Sequence, residues 1–101
     1  TYPRGIVMKI DYKFGENKTL EELKKYIDST YDMHYSKSKF QATEFIIDSG
    51  HGEGFCIGNI LKYAQRYGKK NGKNRADLLK VIHYAIIALH INNGESENET
   101  K

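Results

Sequence analysis

Asn59, Lys62, Tyr63 and Arg66 follow one another at spacings of three, one and three along a stretch with the apolar periodicity of a helix, and Gly68 closes it. Residues three and four apart share a helix face, so the four side chains point one way. Their chemistry is that of an anion site with an aromatic part. A guanidinium grips phosphate oxygens in pairs, an ammonium adds a point charge, an amide fixes a base or sugar, and a phenol offers a ring for stacking. Lys69 and Lys70 follow in a basic loop, and Asp77, Lys80 and Tyr84 recur at spacings of three and four on the next helical run, placed to complete a pocket from a second direction. A solvated helix surface uses the same residue types, so the reading rests on the whole set rather than on any one charge.

Glu44 and Asp48, at i and i+4 on one helix face with Gln41, are the candidate magnesium ligands, because phosphoryl transfer needs a cation on the phosphates and one or two carboxylates suffice to hold it. If there is catalysis, Glu44, Lys62 and Arg66 are the residues expected to carry it. His34 and Tyr35 precede that helix and offer rings that can stack on a base or contact phosphate. The four histidines and one cysteine show no zinc-ligand spacing, so no zinc is expected. Cys56 reads as a small buried residue.

The glycines invite a phosphate-loop reading that fails on inspection. Gly68-Lys69-Lys70-Asn71-Gly72-Lys73-Asn74 is one residue short of a Walker loop, lacks its hydroxyl and follows a helix. Gly50-His51-Gly52-Glu53-Gly54 follows a helix too, where the dinucleotide fingerprint follows a strand. What remains is the general affinity of a helix N-terminus for anions.

The charge distribution agrees with an acidic ligand. Residues 62–80 hold seven Lys/Arg against Asp77 alone, net +6, whereas the whole chain is only +3. Such a segment attracts polyanions, but the sequence carries no zinc finger, RNA-recognition sheet or clear helix-turn-helix, and nucleic acid is not the expected partner. A chain of 101 residues is one domain with a modest core, for which oligomerisation is a common remedy. A single cysteine suits a reducing cytosol. No apolar run reaches the ~20 residues of a membrane span. Thr1-Tyr2-Pro3-Arg4 does not open a signal peptide, and a start at Thr is what a shortened chain would show.

The elements that must position these groups are mainly helical. Met8 to Phe14 alternates apolar and polar residues as a half-buried strand does, with no second strand to pair it, so residues 1–18 are expected to form an N-terminal strand or arm that reaches a neighbouring copy. Thr19-Leu20-Glu21-Glu22 reads as a capping box for a first helix to about Ser29, with Leu20, Leu23, Tyr26 and Ile27 on its apolar face. A second helix is expected from Lys39, capped by Ser38, burying Phe40, Phe45, Ile46 and Ile47. A third is expected from about Phe55 to Tyr67. The fourth runs from about Arg75 to Ile91, capped by Asn74, and is apolar so far round that contact with a neighbour is expected. Residues 94–101 read as a disordered acidic tail. The expected architecture is therefore mainly α: a small bundle of about four helices over residues 19–93 with a short N-terminal β element, assembled as a homo-oligomer through that strand and the last helix.

The ordered set His34-Tyr35, Gln41-x-x-Glu44-x-Ile46, Gly50 to Phe55, Gly58-Asn59-x-x-Lys62-Tyr63-x-x-Arg66-x-Gly68-Lys69-Lys70 and Asp77-Leu78-x-Lys80-x-x-x-Tyr84 resembles a small helical family of tailed phages, often labelled nucleotide kinase-like, across about residues 32–90. The resemblance implies a deoxynucleoside monophosphate kinase without a Walker loop, using ATP and magnesium in the cytoplasm of an infected host cell. It also implies that His34, Tyr35, Asn59, Lys62, Arg66, Lys69, Lys70, Asp77 and Lys80 are the family's polar signature, with Glu44 at its acidic position. Capture of a nucleotide or cyclic-nucleotide signal without turnover, as an anti-defence protein, is the alternative, and a nucleic-acid-binding accessory protein a minor one.

Overall fold

The computed structural model describes residues 9–32 and 36–99, which form four helices: α1 Glu16–Tyr31, α2 Ser36–Asp48, α3 Gly52–Arg66 and α4 Arg75–Glu99. α3 and α4 make the most extensive packing. They run antiparallel, because Gly52 at the start of α3 meets Ile91 late in α4 while Arg66 at its end meets Asp77 in the first turn of α4. Their connection is built from left-handed residues. Gly68 at φ 87° ends α3 as expected, and Asn74 Oδ1 accepts a hydrogen bond from the Ala76 N–H to cap α4.

Several expected boundaries shift. α1 begins at Glu16 behind the left-handed Gly15, so Thr19 lies inside the helix, its N–H donating to the Gly15 carbonyl. The capping box does not form. Glu22 is released for a long-range contact instead: Arg75 Nε donates to Glu22 Oε2 at 2.6 Å and Nη2 to Oε1, which ties α1 to the start of α4. That bidentate hydrogen bonding holds the Glu22 carboxyl below its ordinary range. α2 starts at Ser36, which places the expected cap Ser38 within it, and α3 starts at Gly52 rather than Phe55. α4 continues to Glu99, because Gly94 does not adopt the left-handed angle that would stop it; the expected tail is helical up to that residue, and residues 100–101 lie outside the described ones.

Residues 9–14 are not a strand, and Ile10, Tyr12 and Phe14 are exposed. No strand exists among the described residues to accept their backbone groups, and alternation without a partner does not make a ladder. Residues 1–8 lie outside the described part of the chain. Leu20 and Phe45, both expected in the core, are also exposed, Phe45 at 76%. Among the described residues the buried apolar side chains are Leu23 and Cys56, joined by Thr30 and Asp77, and of these only Cys56 and Asp77 are buried completely. Most of the apolar surface of this bundle is therefore only half covered by its own chain.

Gly52 is the tightest approach. A Cβ there would lie 2.8 Å from Ile47 Cγ1 and 2.8 Å from Ile91 Cδ1, with Ile47 Cα at 3.1 Å, so α2, α3 and α4 meet over a bare backbone. Gly52→Ala should cost about 1–3 kcal/mol in urea denaturation through overpacking, despite alanine's higher helix propensity. A more stable variant would show that the three helices do not close here.

Candidate functional site

Tyr63 is the centre of the polar face of α3. Its ring has three cations around it: Lys80 Nζ at 4.9 Å from the centroid, Lys62 Nζ at 5.0 Å and Arg66 Cζ at 5.8 Å. Lys62 and Arg66 come from its own helix, one residue before it and three after, and Lys80 comes across from α4. Neither Lys62 nor Lys80 has a carboxylate within ion-pair reach among the described residues. The ring's electron-rich face offsets part of the repulsion between them, by about 0.5–1 kcal/mol per contact. An anion would offset the rest.

Beside this ring opens a cleft of about 100 Å³, to which all four helices contribute: Tyr26 from α1, Lys39, Phe40 and Thr43 from α2, Tyr63 from α3, and Lys80, His83, Tyr84 and Ile87 from α4. Its walls are aromatic and mutually braced. Tyr26 meets His83 edge-on at 6.2 Å, Phe55 meets Tyr84 edge-on at 5.8 Å, and Tyr63 and Tyr84 lie nearly parallel at 6.1 Å. Phe40 is held from outside by Tyr31, stacked at 4.3 Å. The volume accommodates a ring or a phosphate group rather than a complete nucleotide, whose remainder would lie at the open edge.

Burial sets the charge state of the walls. It pushes the Tyr26 and Tyr84 phenols above their usual value, so both keep their protons as donors at neutral pH. Burial, with the Lys39 charge second, lowers the His83 imidazole, which is neutral at pH 7. The unfolded chain therefore binds the proton more readily than the folded one. His83 contributes stability that is complete above its unfolded value, ~6.5, and is lost as pH falls from there toward the lowered folded value. Stability measured from pH 7.5 to 5 should decline, and His83→Gln should flatten that decline; an identical slope in the variant would assign the acid sensitivity elsewhere.

Arg66 is anchored on its other side by Asp77. Arg66 Nε lies 3.6 Å from Asp77 Oδ1, and Asp77 is 1% exposed in the first turn of α4. The contact is an ion pair without hydrogen-bond geometry: Arg66 Nε and both Asp77 oxygens lack a hydrogen-bond partner. The helix N-terminus favours a carboxylate at this position. Asp77 thus faces Arg66 rather than a ligand, and the free cations beside Tyr63 are the two lysines.

Of the residues singled out in the sequence, Lys62, Tyr63, Arg66 and Lys80 come together around one ring, with Asp77 behind them. Asn59 does not join them: its Nδ2 donates to the Phe55 carbonyl of its own helix at 2.9 Å. Lys69 and Lys70 are exposed in the loop after α3. Glu44 and Asp48 are exposed on α2, whose contribution to the cleft is Lys39, Phe40 and Thr43. Among the described residues no group of three or more His, Cys, Asp or Glu converges to hold a metal ion. Glu44 and Asp48, the expected magnesium ligands, stand outside this cleft. His34 and Tyr35 lie outside the described residues. The Gly50–Gly54 turn stands apart from the cations, and its Glu53 lines a different groove. Cys56 is fully buried, and burial raises its thiol, which leaves it protonated and inert.

Sequence reasoning missed Tyr26, Lys39, Phe40, Thr43 and His83 as lining residues. Tyr26 and Phe40 read as core residues on their spacing, and His83 as one of four histidines without zinc-ligand spacing. The available signal was Lys80-x-x-His83-Tyr84, a cation and two rings within one helical turn.

The family described as a protein of unknown function, DUF3310, matches residues 29–86. The chain belongs to the DUF3310 family. The DUF3310 region runs from the last turn of α1 into α4 and contains every cleft residue except Tyr26 and Ile87, while residues 9–14 and the end of α4 fall outside it. No curated protein and no solved structure matches the chain. Among the described residues no helix is long and apolar enough to cross a membrane.

Proposed function

We propose that this chain binds a nucleotide at the Tyr63 cleft and works as a nucleotide kinase-like phosphotransferase on deoxynucleoside monophosphates, as a homo-oligomer in the cytoplasm of an infected host cell. One observation carries the binding: two lysines without acidic partners among the described residues, held against a single tyrosine ring at the edge of an aromatic cleft. Rings stack on a base while ammonium groups neutralise phosphate, and a mononucleotide supplies both at this separation. The transfer itself is what the phage-family resemblance implies. Lys62 and Lys80 would neutralise charge on the transferred group, which is the main contribution a protein makes to phosphoryl transfer.

Capture without turnover is the second reading, favoured by Glu44 and Asp48 standing away from the cleft. Binding needs the rings and cations but no metal-holding carboxylate. Incubation with ATP, magnesium and each deoxynucleoside monophosphate separates the two. Diphosphate product supports the kinase reading, saturable binding without product supports capture, and neither binding nor product removes both. A nucleic-acid role rests on the +6 segment alone and would show as affinity for long polyanions that collapses with salt.

A further inference from the structure

α3 and α4 carry a second apolar face that the described chain leaves largely open, with Ile82 and Ala85 half-buried and its other residues exposed. On α3 it consists of Ile57, Leu61 and Ala64, and on α4 of Leu78, Ile82, Ala85 and Leu89. The spacings are four and three on the first helix, and four, three and four on the second, which is the a/d repeat of helices that pack by knobs into holes. At about 100° per residue both stripes lie well round the helix from the side that holds Cys56, Asp77 and the cleft. Ile57, Leu61, Leu78 and Leu89 are 46%, 63%, 43% and 62% exposed. A groove of about 590 Å³ joins the stripes, with Ile57 and Ile60 on one wall and Ala85, Ala88, Leu89 and Ile91 on the other.

The charges at the two ends of this hairpin indicate its occupant. The seam itself carries no charged residue. At the turn lie Lys69, Lys70 and Lys73, exposed and without carboxylate partners among the described residues. At the open end Glu53 and Glu95 line the groove, both without cationic partners among the described residues. A surface that is basic at one end, acidic at the other and apolar between is complementary to itself turned end for end.

We propose that this face is a homodimer interface in which two α3–α4 hairpins close antiparallel into a four-helix bundle, each basic turn lying against the acidic end of the second copy. The proposal deepens the homo-oligomer reading above and is independent of the nucleotide one. The Tyr63 cleft lies on the other side of the hairpin, so both sites of the dimer stay open.

Sedimentation equilibrium of the full chain tests it. The wild type should sediment at twice the 11.7 kDa chain mass. Leu61→Glu and Leu89→Glu should each weaken association at least about 100-fold without loss of helical circular dichroism, since both sites are exposed and glutamate favours helices. The orientation has its own test, which needs no core change. Glu53→Lys with Glu95→Lys should weaken the dimer about tenfold at low salt, and adding Lys69→Glu and Lys70→Glu to the same chain should restore it. A monomeric wild type overturns the proposal and the oligomer reading together. An assembly unaffected by Leu61→Glu overturns the face alone and points to the exposed Ile10-to-Phe14 segment. Indifference to charge reversal overturns the antiparallel arrangement.

Discussion

Arg66→Ala should destabilise the domain by about 3–5 kcal/mol, the largest stability loss expected of any substitution on the polar face of α3. The cause is Asp77. Its carboxylate is buried, has no hydrogen-bond donor, and has Arg66 as its one ion-pair partner among the described residues. Removing the guanidinium strands that group in the protein interior. Against a total stability of about 5–15 kcal/mol the loss is large, and at roughly 4–8 °C per kcal/mol it should lower Tm by about 12–40 °C. The double variant Arg66→Met with Asp77→Leu should recover most of the loss, because replacing both members of a buried pair by apolar groups is often neutral or better. Urea denaturation of the wild type, Arg66→Met, Asp77→Leu and the double variant closes the cycle. If Arg66→Ala costs under about 1 kcal/mol, the pair is not the buried link between α3 and α4 described above. A loss of ligand affinity in Arg66→Ala would also mix binding with folding, so the binding claim is better tested on the lysines.

Lys62→Ala combined with Lys80→Ala should reduce nucleotide affinity at least about 100-fold, with little loss of stability. Each charge-assisted phosphate contact is worth about 1.5–3 kcal/mol, and a factor of ten corresponds to about 1.4 kcal/mol. Both lysines lack acidic partners among the described residues, so neither is an ion-pair support of the described fold. The loss should be steep for a nucleoside monophosphate and slight for the corresponding nucleoside, since the rings of the cleft remain. Calorimetric titration with the two ligands distinguishes a phosphate contact from general weakening. Equal loss for both would mean that the lysines shape the cleft instead of meeting the phosphate.

The helices were legible because their apolar positions recur at the helical period, and the polar face of α3 was legible because Lys62, Tyr63 and Arg66 lie within one helical turn. Their ends were less so. Thr19 and Glu22 satisfy the capping-box pattern, but Gly15 and Glu16 start the helix earlier and Glu22 finds Arg75 instead, a partner 53 residues away. The alternation from Met8 to Phe14 promised a strand, and a strand needs a neighbour that the pattern does not show. The cleft was half visible: Lys80 and Tyr84 announce themselves, whereas Tyr26 and Lys39 reach it from α1 and α2 only after the helices pack. The role of Asp77 was also hidden, since burial of one carboxylate against one arginine is a property of packing. Phe45, Leu61 and Leu89 show the reverse error. Their periodicity marks them for burial, and that burial is supplied by something other than the described chain.

The most direct measurement is an NMR titration of the isotopically labelled protein with a deoxynucleoside monophosphate, following the Lys62, Tyr63, Lys80, His83 and Tyr84 resonances. The expected result is saturable shifts confined to these residues and their neighbours in the cleft, abolished by Lys62→Ala with Lys80→Ala. Shifts that map to the Gly50–Gly54 turn or the Lys69–Lys73 loop while these five stay unmoved, or no saturable shifts at all, would contradict it.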